Sequence, residues 1–336
     1  MPIAIDVELD LPQKEQDAIR EELGVITGAA RSLGPLFNLQ QLLVPADFRA
    51  TVARLQPRRR PAPSSLEPLA LGIAKPTGWV LVLHPSLYGP GWDAHMRYAL
   101  YWHECVGLVN RMRFPALLPA KTDRYAALFA GIYRVFGEYD ASRKAHDFRE
   151  ALLRKMLQQT LSPMAAEDAS VSLKGQMALV LSTEQDAWAQ FANASLAESS
   201  DAKGFLATMR PRIMQRTQAL ALALAAVDHT PALMVDNGPA ADFMRHLPDP
   251  ARALHRFMRT RHVDGSPDLT AGMELLDALW RHWGLTLTDA PEGSPQGIHA
   301  VPTAMNVRID ANDDGAGNGC AAAEPSAPSA SGQETP

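Results

Sequence analysis

The residues best suited to chemistry are His103 and Glu104, adjacent in the stretch Tyr98-Ala99-Leu100-Tyr101-Trp102-His103-Glu104-Cys105-Val106-Gly107-Leu108-Val109-Asn110. In the motif H-E-x-x-H, two histidines one helical turn apart aim their rings at one zinc ion. The glutamate between them, rotated by about 100° around the helix, polarises the attacking water. Here the position of the second histidine is Gly107. A His-Glu dipeptide alone is weak evidence in a chain with ten histidines, so its surroundings must decide. His103 shares an apolar helix face with Met96, Leu100, Val106 and Gly107, which directs it into the protein. Further downstream lies a second polar cluster, Glu138-Tyr139-Asp140-Ala141-Ser142-Arg143-Lys144-Ala145.

Elements capable of positioning these residues are readable on both sides. Near-helical spacing of Ile19, Leu23 and Ile26 predicts a helix over 11–33, followed by a short strand over 39–44. Pro45-Ala46-Asp47 opens a helix through Phe48, Val52 and Leu55. Residues 69–75 and 79–83 read as a hairpin around Pro76-Thr77-Gly78. The turn Tyr88-Gly89-Pro90-Gly91 then delivers the chain to the helix that carries His103, over 93–112. A further helix over 124–136 runs with little or no break at Gly137 into 138–160, where Ser162-Pro163 ends the pattern. Helical periodicity returns over 183–197, 204–227, 240–247, 250–261 and 269–283, with Trp280 and Trp283 as packing residues. From Ala304 the composition turns to Ala, Ser, Pro, Gly and acidic residues, which cannot offset the entropy of ordering. The expected fold class is α+β and mainly helical: a small mixed sheet, the His103 helix and the Glu138 helix, then a helical C-terminal half and a disordered tail. The expected domains are 1–164, 173–303 and the tail 304–336.

With these elements in view, the region over about 36–160 resembles the zincin fold of metallopeptidases, gluzincin type, with an incomplete motif, His103-Glu104-Cys105-Val106-Gly107. The resemblance implies zinc as the metal, His103 and Glu138 as metal ligands, and Glu104 as catalytic general base. In that family a carboxylate from a separate helix is the third ligand, and Asp140 and Arg143 would be its polar neighbours. The apolar strand over 79–83 stands where such a fold places the strand lining its substrate cleft. Gly107 leaves two protein ligands where a catalytic zinc ordinarily has three. Of the residues that could substitute, His95 lies about 12 Å along the helix from His103 and cannot chelate with it. Cys105 projects from another side and reads as a small buried hydrophobe. His84 and His146 remain open as substitutes, and each also reads as an ordinary capping or surface histidine. A hydrogen bond from His103 to Glu104 or Glu138 would satisfy the ring without metal.

The rest of the composition narrows the field. With 46% hydrophobic and 21% charged residues, 336 residues can bury a core. A net charge of -5 offers no basic excess for a nucleic-acid backbone, and Arg58-Arg59-Arg60 sits in a Pro-rich loop. Two cysteines do not make a disulfide framework, which fits a reducing compartment. The acidic N-terminus is no secretory signal and the longest apolar stretch, 219–227, is too short for a bilayer, so a cytoplasmic, membrane-free protein is expected. Asp310-Ala311-Asn312-Asp313-Asp314-Gly315 opens like a calcium loop but carries Ala321 at the bidentate glutamate position. His255 and His262, seven apart, are too distant for one metal and with Arg252, Arg256, Arg259 and Arg261 form a basic face suited to an acidic partner. G-x-S-x-G, Walker and G-x-G-x-x-G motifs are absent.

Three functional readings follow. The first is a zincin-like protein with a degenerate metal site, serving as a non-catalytic binding or regulatory protein with a protein or peptide partner. The second is an active metal-dependent peptidase or hydrolase in which Glu104 is the base and a non-standard group is the third ligand. The third is a helical interaction protein unrelated to zincins. The sequence leaves the oligomeric state open.

Overall fold

Apolar alternation builds the first layer of the molecule. The computed structural model describes residues 3–34, 37–57, 68–113, 123–157, 202–229, 239–265, 268–289 and 298–302. Strands β1 (Ala4–Val7), β2 (Leu39–Val44), β3 (Ala70–Lys75) and β4 (Gly78–Leu83) form a mixed sheet of order β1-β2-β4-β3. β1, β2 and β4 run parallel, and β3 pairs antiparallel with β4 at the sheet edge. In β4 the period-2 pattern separates two apolar sets. Leu81 and Leu83 join Leu23 and Ile26 of α1 (Gln13–Ala30) and Tyr101 and Leu108 of α3 (Ala94–Arg113). Val80 and Val82 pack instead with Phe48 of α2 (Phe48–Leu55) and Ile73. Helices thus cover both faces of the sheet. The β3–β4 turn requires its glycine, because Gly78 has φ +148° and a Cβ there would stand 2.6 Å from the Asn38 carbonyl oxygen.

Local chemistry fixes the helix ends and their docking. Asp47 caps α2 by accepting the Ala50 amide at 2.9 Å. Arg97 of α3 forks onto both oxygens of Glu22 in α1, at 2.8 and 2.7 Å, a bidentate pair that pins the two helices together. The long helix α4 (Asp123–Leu157) continues through Gly131 and Gly137 and lies against α3, where Trp102 stacks on Phe148 with ring centroids 4.1 Å apart.

The later helices complete the fold around α4. These are α5 (Ala202–His229), α6 (Pro239–His246), α7 (Asp249–Asp264) and α8 (Thr270–His282), followed by the antiparallel pair β5 (Leu285–Asp289) and β6 (Ile298–Pro302). Their core gathers Ile132, Val135 and Tyr139 of α4 with Leu220, Leu224, Phe243, Leu254, Met258 and Leu276. Trp280 and Trp283 are buried in it, and Trp280 Nε1 donates to Thr217 Oγ1 at 3.1 Å. The architecture is mainly helical α+β with a small mixed sheet, as the sequence predicts. Met1–Met305 form one compact unit. The expected boundary between 164 and 173, the helix over 183–197, the calcium-loop-like segment and the tail 304–336 all lie outside the described residues. No described helix is long and apolar enough to cross a membrane.

The structure adds three strands to the sequence expectation. β1 is a four-residue edge strand with charged neighbours, too short for periodicity to register. β5 carries a readable alternation, Leu-Thr-Leu-Thr, after Gly284 at φ +93°, with Leu285 and Leu287 buried. Its partner β6 has no such pattern.

Candidate functional site

The helix α3 presents His103, Glu104, Gly107, Asn110 and Arg111 to a cleft of about 800 Å³, opposite Tyr133, Arg134, Gly137 and Glu138 of α4. Leu71 of the edge strand β3 and Trp79 of β4 close its sheet side. The sequence reading gave that side to the 79–83 strand; β4 is an inner strand that contributes only Trp79 at its start, because β3 folds back over it as the edge.

His103 and Glu138 meet there: Nε2–H of His103 donates to Glu138 Oε2 at 3.2 Å. The other carboxylate oxygen, Oε1, accepts from Gln218 Nε2 of α5 at 3.0 Å. Both side chains are mostly buried, 19% and 24% exposed. Burial alone would lower the His103 pKa, but the hydrogen bond and charge of Glu138 outweigh it and hold the ring above its ordinary value. Burial opposes ionisation of Glu138 too, yet His103, Arg111 and Arg134 keep its carboxyl below the usual range. Each group thus favours the charged form of the other, and the hydrogen bond joins them without a metal. Glu104 differs: burial, reinforced by the charge of Glu138, raises its pKa against the opposing pull of His103 and Arg111. Its carboxylate has no hydrogen-bond partner among the described residues.

Two ligands bound to one zinc at about 2.0–2.1 Å each, at the tetrahedral angle, stand roughly 3.3 Å apart. The 3.2 Å separation of His103 and Glu138 suits a shared metal as well as a hydrogen bond. The third ligand is what does not fit. Among the described residues no group of three His, Cys, Asp or Glu side chains is arranged to hold a metal ion. His84 caps the short helix Pro85–Tyr88, its Nδ1 accepting the Ser86 amide at 3.2 Å, with its ring against Phe48. His95 stands in the first turn of α3 with Nδ1 buried and unpartnered. Cys105 is buried, and burial pushes its thiol well above the ordinary range. His146 stacks on His229 at 4.9 Å and does not line the cleft.

Position 107 is open. A Cβ on Gly107 would meet nothing within 4 Å, although the residue borders the same cleft as His103. A side chain one turn beyond His103 therefore has room to reach toward the His103–Glu138 pair.

The neighbours the sequence assigned to Glu138 serve elsewhere. Asp140, buried, accepts from Asn110 of α3 at 3.1 Å, Lys144 at 2.8 Å and His262 of α7 at 2.9 Å, and so ties three helices together. Arg143 faces Asp228 at the end of α5. The residue that does steady Glu138, Gln218, lies eighty positions away on an apolar helix, and no local pattern marks it. On the basic face of α7 the two histidines have acidic partners within the chain, His255 with Asp228 at 2.8 Å and His262 with Asp140 at 2.9 Å. No family model matches the chain, and comparison with characterised proteins and with solved structures gives no match.

Proposed function

We propose that this protein is a non-catalytic binding or regulatory protein built on a zincin-like frame, whose cleft between α3, α4 and the β3 edge receives a peptide or protein segment. The observation that carries this reading is the pairing of His103 with Glu138 beside an open Gly107: two ligand-type side chains meet where a third is missing. A two-ligand set is one short of the protein ligands that hold a catalytic zinc. The cleft has the size and the mixed lining of ligand sites, with Leu71, Trp79 and Tyr133 as apolar wall and the charged residues of α3 and α4 as polar contacts. Zinc, where bound at all, would be held by His103 and Glu138 and would supply Lewis acidity to bound water. The protein's own residues supply the rest: Gln218 orients Glu138, and Glu104 lines the cleft with no hydrogen-bond partner among the described residues.

A second reading, an active metal-dependent hydrolase, draws support from Glu104. A carboxylate of raised pKa, unpartnered and facing a cleft, has the character of a general base. One experiment separates the two. Zinc per chain is measured for the purified protein and for His103→Ala, together with hydrolysis of casein. The binding reading expects zinc far below one per chain in both and no hydrolysis; near-stoichiometric zinc that disappears in the variant, with casein cleavage, would overturn it in favour of the hydrolase.

A further inference from the structure

A second cavity, of about 520 Å³, lies on the other side of α4, lined by Tyr139, Arg143, Asp228, His255, Arg259 and His262 among others. Helix spacing puts these groups together. Tyr139 and Arg143 are one turn apart on α4, and His255, Arg259 and His262 follow at i, i+4 and i+7 on α7. The Tyr139 ring stands edge-on to both histidines, at 6.5 and 6.0 Å. Asp228 is the one carboxylate in the lining, and its charge is already engaged. Tyr139 Oη donates to it, His255 Nε2 donates at 2.8 Å, and Arg143 approaches to 3.9 Å.

The donors, by contrast, are left over. Arg143 Nε is buried with no hydrogen-bond partner among the described residues, a costly state for a guanidinium unless something fills it. Arg259, solvent-exposed where it borders the cavity, has no ion pair or hydrogen bond among the described residues and is free to turn to a ligand. Two arginines border the cavity with one carboxylate, leaving a surplus of positive charge around it. Val227, Met244 and Val263 add an apolar wall, which a bare ion does not need.

We propose that this cavity is a binding site for a small organic oxyanion, a phosphate ester or a carboxylate, held by Arg143 and Arg259 with its carbon skeleton against Val227, Met244 and Val263. Planar guanidinium groups bind either oxyanion through paired N–H donors. The site is independent of the His103 cleft, since none of its lining residues belongs to that cleft.

The test is thermal unfolding of the full chain in sodium phosphate, glycerol 3-phosphate or succinate, each against sodium chloride at matched ionic strength. Arg143→Gln, Arg259→Gln and Arg256→Gln are measured in parallel. Arg259 and Arg256 are both exposed on α7, so both variants should fold, and only Arg259 lines the cavity. The expected result is a concentration-dependent rise in Tm, larger for an organic anion than for inorganic phosphate. Apparent affinity should weaken at least about tenfold in Arg259→Gln and Arg143→Gln and stay unchanged in Arg256→Gln. A larger rise with glycerol 3-phosphate identifies a phosphate ester and a larger rise with succinate a carboxylate; both support the site. No rise with any of the three, or an equal rise in wild type and Arg259→Gln, overturns it.

Discussion

His103 and Glu138 show how a residue type plus a spacing can be read from sequence while its partners cannot. The pair was legible because a His-Glu dipeptide on an apolar helix face and an acidic segment downstream are local patterns. Gln218 was not, since an amide on an otherwise apolar stretch of α5 becomes informative only once α5 packs on α4. His146 makes the complementary point. As a candidate substitute ligand it would need an exposed lone pair in the cleft; instead burial, with the nearby positive charge of His229 and Arg149, lowers its pKa to about 3. In the unfolded chain it takes up a proton near pH 6.5, whereas the folded ring stays neutral until about pH 3. Between those values the unfolded state holds the extra proton, so stability falls as pH drops from 6.5. The urea midpoint is expected to decline with an onset near pH 6.5, and His146→Asn to make that decline shallower between pH 6.5 and 4.5. An identical slope in the variant would show that the ring is accessible to protons in the fold. His229, whose pKa burial also lowers, should retain part of the slope.

At the scale of elements, period and turn chemistry gave β2, the β3–β4 hairpin and the helices α1 to α8 within a few residues. β1 escaped for want of length, β5 was missed although its Leu-Thr-Leu-Thr alternation was readable, β6 carries no such pattern, and the packing of α5 to α8 around α4 rests on contacts between distant segments. Glycines record that packing in a form open to experiment. In α8, a Cβ on Gly272 would stand 2.5 Å from Phe257 Cε1 and 2.8 Å from Ile132 Cγ1, where α8 crosses α7 and α4. Gly272→Ala should therefore cost about 1–3 kcal/mol through overpacking. Gly107, in the middle of α3, has no neighbour within 4 Å of that position, so Gly107→Ala should stabilise by up to about 1 kcal/mol through helix propensity alone. Urea denaturation of both variants checks the contrast. A loss of stability at Gly107 comparable to that at Gly272 would mean the cleft is filled.

Over the whole molecule, the His103 cleft is assembled from three regions that are far apart in sequence: the sheet edge, the α3–α4 pair and, through Gln218, the later helices. The mainly helical α+β class was legible from periodicity. What composition could not foretell is that α4 serves both sides, its Glu138 facing the cleft while Tyr139 and Arg143 face the second cavity. We propose that the cleft is a metal site lacking one ligand, at position 107. The most direct measurement is zinc per chain after metal exchange for the wild-type protein and for Gly107→His. Far less than one zinc is expected in the wild type and close to one in the variant, removed again by His103→Ala. A folded Gly107→His protein that takes up no more zinc than wild type would contradict it.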